Sequence, residues 1–322
     1  MGARRWKLSR FAELLELLQR ADVVASPLGA GEFSFEATSV GLERLTVLTG
    51  GNSPLLLQAS VPADTACVVL SLAGRDCMRV NGQDMRPGLI TIHGAGAMHM
   101  SASHSRAAWA AIALNTDELE HLLPPRPGRL GQSGASATVL AGANAWERAA
   151  ALFRAVDEVA RSEPEVFEVD EARRALRAQL RDTLFELLQR PPRGSQAHLL
   201  RRPDGSERVI RLVDEYLRAN TGRAITGAEL ARAVDSSEPR LRAAFRAMFG
   251  VGLSRYLVVR QLFSLHAAVS GGADNLVARR SLATTHGFWN LETLEREYQA
   301  LFREPFLSAG GRVQSVHPVV DG

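Results

Sequence analysis

Three arginines, Arg240, Arg242 and Arg246, lie close together in the last third of the chain. Apolar residues of the surrounding run, residues 237–249, recur at i, i+3, i+4, i+7 and i+8, which predicts a helix with one buried face. The apolar anchors of that face are Leu241, Ala244, Phe245, Met248 and Phe249. The arginines fall on the opposite face, and guanidinium forks suit phosphate groups and guanine edges. The pattern therefore predicts a nucleic-acid contact, and a solvated helix face is the ordinary alternative.

A near-repeat places these arginines in a larger unit. The segments 230–249 and 282–302 both begin Leu-Ala, carry a turn residue four positions after the alanine, and continue Leu-x3-Phe/Tyr-x3-Phe. The turn residues are Asp235 and Gly287, and both residue types tolerate a positive φ. A small residue at the crossing of two helices, followed by such a turn, is typical of a helix-turn-helix. The repeat favours DNA reading over a solvated face, and it predicts two such units held apart by one long helix over residues 253–269.

The two predicted recognition helices differ in charge. The first starts at Ser237, a natural helix cap, and has Pro239 in its first turn, where a missing N–H costs nothing. The outward face of the second mixes acidic with other side chains: Glu292, Glu295 and Glu297 stand beside Asn290, Thr293 and Arg296. Acidic groups that face phosphates are repelled, so we expect the second unit to contribute less affinity.

The N-terminal half shows a pattern typical of β-strands instead of helices. Between residues 32 and 113, short β-type runs alternate with Gly, Pro and Asn. The runs read FSFEATSV, LERLTVL, ACVVLSL, CMRV, LITI and AAWAAIAL. The dipeptide Asn81-Gly82 is one that a two-residue hairpin favours. These signals predict a small barrel or jelly roll, preceded by a helix over about residues 8–20.

Residues 145–190 return to helical periodicity and predict two amphipathic helices that pair as an antiparallel hairpin. The second helix carries an apolar stripe of Leu176, Leu180, Leu184 and Leu187. We expect this stripe to form a homodimer interface, and packing against its own domain is the alternative. Pro, Gly and Ser interrupt the pattern over residues 191–206, which predicts a linker. The predicted divisions are a regulatory domain 1–140, a hairpin 141–190, the linker 191–206 and a DNA-binding domain 207–322.

With these motifs in place, residues 207–309 resemble the DNA-binding domain of the AraC/XylS family of transcription activators. The resemblance rests on S-x-x-x-L-x-x-x-F at residues 237–245, FG followed by Tyr256, and GFW…Y…LF at residues 287–302. It implies that two recognition helices enter successive major grooves and that RNA polymerase is a further partner. By position, the implied DNA-binding residues are Ser237, Arg240, Arg242, Arg246, Asn290, Thr293 and Arg296. The chain departs from the family at Asp235, in place of the turn glycine, and at Arg303, in place of the glycine after the last Phe.

The N-terminal half is similar to the cupin-like regulatory domain found with such DNA-binding domains. The run at residues 87–99 resembles the second cupin motif and puts His99 where metal-binding cupins have a histidine. The first cupin motif has no counterpart over residues 55–80, and one histidine cannot make a metal site. We therefore expect no metal, no cofactor and no catalytic residues. The residues suggested to line an effector pocket are Met98, His99, Met100 and Trp109, with ordinary core packing as the alternative.

Composition agrees with this interpretation and excludes other classes. The 322 residues are 46% hydrophobic and 23% charged, and no apolar run approaches the ~20 residues of a membrane span. The N-terminus lacks a secretory signal, and Cys67 and Cys77 have no metal-site spacing, so we expect a cytoplasmic protein with reduced thiols. The predicted architecture is α+β and multidomain, with a cupin-like β-barrel or jelly roll and hairpin followed by an all-α double helix-turn-helix domain.

The sequence thus predicts a homodimeric regulator, more specifically an activator, that binds promoter DNA and responds to a small molecule. Two other classes stay open. A cupin-fold metalloenzyme with a helical appendage would hold a metal on at least three protein ligands. A DNA-binding module without an effector would have a barrel filled by its own side chains.

Overall fold

The protein is described by a computed structural model that covers residues 2–18, 23–28, 32–72, 77–122, 134–188, 205–270 and 275–307. The N-terminal part consists mainly of antiparallel strands, and the C-terminal part is helical. This α+β architecture confirms the predicted fold class. No helix within the described ranges is both long enough and apolar enough to cross a bilayer. The linker predicted over residues 191–206 lies outside the described residues except for Gly205 and Ser206.

Two antiparallel sheets build the N-terminal part. The seven-stranded sheet has the order β1-β3-β4-β11-β6-β9-β12, and the five-stranded sheet has the order β2-β5-β10-β7-β8. The strands of the first are β1 Ala3–Leu8, β3 Phe35–Leu42, β4 Leu45–Asn52, β6 Thr65–Ser71, β9 Leu89–His93, β11 Ala107–Asn115 and β12 Ser136–Leu140. The strands of the second are β2 Val23–Pro27, β5 Leu55–Ser60, β7 Met78–Val80, β8 Gln83–Asp84 and β10 Met98–Ser103.

The inner faces of the two sheets meet in a small core. It joins Met78 and Val80 of β7 to Leu89 of β9 and Ala107 of β11. The side chain of Asn52 on β4 also donates to the Ser103 hydroxyl on β10, at 2.6 Å. The sheets are thus packed face to face, as in the predicted barrel or jelly roll.

The predicted hairpin turn forms between β7 and β8. Asn81 has φ 43° and Gly82 has φ 79°, and Val80 pairs with Gln83 across the turn. Two positive φ values are what a type I′ turn requires, which is why the Asn-Gly dipeptide was informative.

Other local predictions in this half were wrong. The chain before α1 (Phe11–Leu18) is the strand β1, which pairs with β3, so the helix predicted over residues 8–20 begins only at Phe11; residues 19 and 20 lie outside the described residues. The run LERLTVL contains a turn, because Glu43 adopts φ 60° between β3 and β4. Strand β1 was missed because it is stabilised by pairing with a strand about thirty residues further along the chain.

A helical hairpin covers the outer face of the seven-stranded sheet. It consists of α3 (Ala143–Ser162), a 3-10 turn at Pro164–Glu168, and α4 (Asp170–Leu188). A short helix, α2 (Thr116–Leu122), precedes it and contributes to the same core. The hairpin is therefore present as predicted, but its apolar stripe has another role.

The leucine stripe of α4 belongs to the core of its own domain. Leu180, Leu184 and Leu187 are almost completely buried against the sheet and α3, and Leu176 packs partly buried on the same core. Enclosed side chains are not accessible to a second subunit, so the prediction that this stripe forms a dimer interface was wrong. The homodimer inferred from it loses its basis.

Six helices form the described C-terminal part. They are α5 (Ser206–Ala219), α6 (Gly227–Ala233), α7 (Glu238–Phe249), α8 (Leu253–Ser270), α9 (Leu276–Thr285) and α10 (Leu291–Phe302). Helices α5 to α7 and the start of α8 share one core, and α9, α10 and the end of α8 share another. Helix α8 therefore joins two small helical units, as the sequence predicted for residues 253–269.

Candidate nucleic-acid interface

The first helix-turn-helix is formed by α6 and α7. Ala231 is buried at the crossing of the two helices, and Asp235 fills the turn with φ 49°. The Ser237 hydroxyl caps α7 by accepting a hydrogen bond from the backbone N–H of Arg240, at 3.3 Å. The predicted cap and turn are confirmed, and they fix where α7 begins.

The outer face of α7 is cationic. The anchors Leu241, Ala244, Phe245, Met248 and Phe249 are all buried. Arg240, Arg242 and Arg246 are exposed on the other side. The Arg242 guanidinium pairs with Glu238 one turn earlier, whereas Arg240 has no carboxylate partner among the described residues.

The second unit repeats this geometry with α9 and α10. Ala283 is fully buried at the crossing, and Gly287 takes φ 84° in the turn. Asn290 caps α10, because its side-chain oxygen accepts from the Thr293 N–H at 2.9 Å. Thr293 and Arg296 are exposed on the outer face.

The acidic side chains of α10 are not all directed outward, which corrects the sequence prediction. The Glu295 carboxylate accepts from the backbone N–H groups of Phe306 and Leu307, both at 3.1 Å. Glu297 pairs with Arg255 of α8 at 2.5 Å. Glu295 thus stabilises the second unit and Glu297 ties it to the start of α8, and Glu292 is the carboxylate of the three that is left on the exposed face.

Trp289 was missed by the sequence reasoning. Its side chain is 81% exposed, immediately before the cap residue of α10. A large aromatic side chain that packs on neither core, placed beside the start of a recognition helix, suits contact with a sugar or base. The available signal was that Trp289 falls outside the apolar spacing of both flanking helices.

The first unit docks on the outer face of the five-stranded sheet. Leu56 and Met100 of that sheet are fully buried in one core with the residues of α5, α7 and α8. The Arg79 guanidinium donates to the backbone oxygen of Arg246 at 2.9 Å and is itself held by Asp84 at 2.6 Å. The carboxyl end of the first recognition helix is therefore in direct contact with the N-terminal domain.

This contact requires a close approach of the two parts. Gly250, with φ 71°, ends α7, and a Cβ atom at this position would lie 2.8 Å from the His104 imidazole. A larger residue would have to displace the exposed His104 imidazole, in addition to straining the left-handed backbone.

The suggested effector residues do not line one pocket. Met98 and Met100 pack toward the helical unit, because alternate residues of β10 point to its outer face. Trp109 is partly buried and donates its indole N–H to Asn52 at 2.9 Å. His99 points between the sheets, so the four residues face two different environments.

His99 has a partner that the sequence did not suggest. Its Nδ1 lies 3.1 Å from Nε2 of His93, whose Nδ1 lies 2.9 Å from the Ser136 hydroxyl. Burial lowers the pKa of His99 to about 4, and burial together with the neighbouring His99 lowers the pKa of His93 well below its usual value. Both imidazoles are neutral near pH 7. Within the described ranges, no group of three or more His, Cys, Asp or Glu side chains could hold a metal.

The fold and the site together define a class of protein in which a double-sheet domain is joined to two helix-turn-helix units. No protein-family model and no curated protein match the chain. Among solved structures, it is similar to the AraC-like transcriptional activator CuxR, at 16% identity, with 87% of this chain and 100% of that chain covered and a TM-score of 0.42.

Two structures of ToxT are also similar. Fatty-acid-bound ToxT from Vibrio cholerae strain SCE256 has 7% identity and a TM-score of 0.28, with 94% of this chain and 92% of that chain covered. ToxT from Vibrio cholerae O395 has 8% identity and a TM-score of 0.26, with 90% and 98% covered.

Proposed function

We propose that this chain is a sequence-specific, DNA-binding transcription regulator of the AraC/XylS type. The observation that carries the proposal is the pair of helix-turn-helix units, the first of which presents Arg240, Arg242 and Arg246 on the exposed face of a capped helix. Helices of this kind enter the major groove, where Arg is the side chain best suited to guanine. The second unit adds Thr293 and Arg296 and, from the turn, Trp289.

In this proposal the first unit supplies most of the affinity. Its exposed face carries three arginines, whereas the exposed face of α10 has Arg296 beside Glu292. The pairing of Glu295 with the backbone after α10 and of Glu297 with Arg255 removes much of the expected repulsion of phosphates. The second unit therefore reads DNA more weakly than the first without opposing it.

Regulation passes through the contact between the sheet and α7. Arg79 and Met100 connect strands β7 and β10 directly to the first recognition helix. A signal that changes the N-terminal domain acts on DNA binding only if it stabilises one arrangement of this contact over another. A small molecule bound to the N-terminal domain is the proposed signal, and RNA polymerase is the further partner that the sequence resemblance implies.

The experiment that tests the proposal is to map the genomic DNA fragments retained by the purified full-length protein. We expect a small set of fragments that share a motif with two elements about one helical turn apart. The double variant Arg240→Ala, Arg242→Ala, matched by Arg211→Ala on α5 as the control, should lose this enrichment. Retention without a shared motif, or equal enrichment by the double variant, would refute the proposal.

A further inference from the structure

A cleft of about 440 Å³ lies between α3 and the outer face of the seven-stranded sheet. Strands β1, β3, β4 and β11 contribute its floor, and α3 forms one wall. This volume falls within the range of ~300–1,000 Å³ that is typical of small-molecule sites. The cleft is on the opposite side of the domain from the sheet that contacts α7, and none of the predicted site residues lines it.

The floor of the cleft stays open because its central residues are small. Gly51 of β4 and Ala108 of β11 are directly paired, and both line the cleft. A Cβ atom at Gly51 would lie 3.0 Å from the Ala107 carbonyl oxygen, so the strand tolerates a larger residue there poorly. Because this pair carries nothing larger than the Ala108 methyl group, a depression remains under α3.

A hydrogen-bonded carboxylate fixes α3 beside this depression. Asp157 of α3 accepts from the hydroxyls of Thr38 and Thr49, both at 3.0 Å, and pairs with Arg161. Burial alone would raise the pKa of Asp157, but the bonds from Arg161 and the two threonines outweigh it and lower the pKa. The helix is therefore anchored to the sheet by an ionised group, and the spacing of the wall is fixed.

Four arginines line the cleft, and carboxylates within the described ranges pair with two of them. Arg161 is paired with Asp157, and Arg5 lies 3.6 Å from Glu36. Arg106 and Arg154 have no carboxylate partner among the described residues, and the one polar contact of Arg154 is with the Leu72 carbonyl oxygen at 3.4 Å. Among the described lining residues, arginines therefore outnumber carboxylates by two.

The two unpaired arginines come from different elements. Arg106 precedes β11, and Arg154 lies on the same side of α3 as Asp157 and Arg161. Solvated surface arginines need no common target, whereas these two converge on one concave site that also holds two threonine hydroxyls. Convergent guanidinium groups are the usual means of binding carboxylate and phosphate groups.

We propose that this cleft binds a small organic anion that carries at least two negative charges as carboxylate or phosphate groups. Such a ligand would bridge the β10–β11 loop and α3 through Arg106 and Arg154. If the chain is the regulator proposed above, this anion is its effector, because the β10–β11 loop that carries Arg106 also carries His104, which lies beside Gly250 at the end of α7. The binding itself does not depend on DNA.

The test is isothermal titration calorimetry of the full-length chain, without DNA and at low ionic strength, with citrate and with pyrophosphate as separate probes. We expect saturable 1:1 binding of at least one probe, and the tighter probe distinguishes a carboxylate from a phosphate ligand. The double variant Arg106→Gln, Arg154→Gln should weaken binding ~10-fold or more, since hydrogen bonds between charged groups are the strong ones. Arg86→Gln, an exposed arginine of the same domain outside the cleft, should stay within about twofold of wild type.

A second variant separates the cleft from surface charge. Ala108→Leu fills the floor without changing any charge and should also abolish probe binding. Circular dichroism would establish that each variant is folded. If Ala108→Leu does not fold, the comparison of the double variant Arg106→Gln, Arg154→Gln with Arg86→Gln decides the test. Absence of saturable binding of both probes, an equal loss in Arg86→Gln, or wild-type binding by a folded Ala108→Leu would overturn the proposal. None of these results bears on DNA retention, so the proposed function is tested separately.

Discussion

The arginines on α7 allow a graded prediction for DNA affinity. Arg240 is exposed without a carboxylate partner among the described residues, so truncation to alanine removes only its contact with DNA. A bidentate contact with a base is worth ~1–3 kcal/mol, and Arg240→Ala should therefore weaken specific binding about 5- to 150-fold. Arg242 must first leave Glu238, and an i,i+4 pair of this kind costs ~0.3–0.5 kcal/mol to break. The loss for Arg242→Ala should be smaller by that amount.

The same pair predicts a gain of function. Glu238→Gln releases Arg242 and removes a carboxylate from the helix face that approaches the phosphates. We expect about a twofold increase in affinity at low salt, and the increase should shrink as salt screens the interaction. Arg211→Ala on α5 is the matched control for the arginine variants of α7. Arg211 is exposed and, like Arg242, lies near a glutamate one turn away, with Glu215 at 3.8 Å.

The assay is fluorescence anisotropy with a labelled fragment from the genomic selection, repeated over a series of salt concentrations. An arginine that contacts a phosphate reduces the slope of log K against log salt by ~0.9 when it is removed, whereas loss of a base contact relaxes sequence preference. Arg296→Ala on α10 should cost less than Arg240→Ala. Binding by Arg240→Ala, Arg242→Ala within twofold of wild type, or an equal loss in Arg211→Ala, would refute the assignment of α7 as the main reader.

Three further predictions concern stability, each measured by chemical denaturation. Asp235→Ala should cost about 1 kcal/mol and Asp235→Gly should not, because the turn holds this residue at φ 49°; equal losses would contradict the strain argument. Leu184→Ala should cost ~2–5 kcal/mol, whereas the half-exposed neighbour Phe185→Ala should cost far less; a folded, stable Leu184→Ala would reopen the dimer interpretation. Because the pKa of His99 is lowered to about 4, the unfolded chain takes up its proton first, so stability should be complete above pH 6.5 and fall by up to about 3 kcal/mol toward pH 4. Burial also lowers the pKa of His93, which adds to this loss, so His99→Gln should reduce the dependence without removing it; an unchanged slope would show that His99 does not contribute.

Short-range patterns in the sequence were sufficient for the helix-turn-helix units. The buried alanines Ala231 and Ala283, the positive-φ turns at Asp235 and Gly287, and the cap at Ser237 all lie within a few residues of the helices they organise. Helical periodicity and turn chemistry are local properties, and the structure confirms them. The Asn81-Gly82 hairpin was found for the same reason.

Features that depend on contacts between residues far apart in the sequence could not be predicted from local patterns. An apolar stripe shows that a helix buries one face, but not against what, and only the packed structure shows that Leu180 and Leu184 cover their own sheet. From helical spacing alone, Glu295 and Glu297 are predicted to be exposed to solvent. The structure shows that Glu295 binds the backbone after α10 and that Glu297 pairs with Arg255. The sequence by itself determined the local elements and the cationic face of α7. Tertiary structure alone decided the contact of that helix with the N-terminal sheet and the convergence of Arg106 and Arg154 on one cleft, because both join segments that are far apart in the chain and carry no shared local pattern.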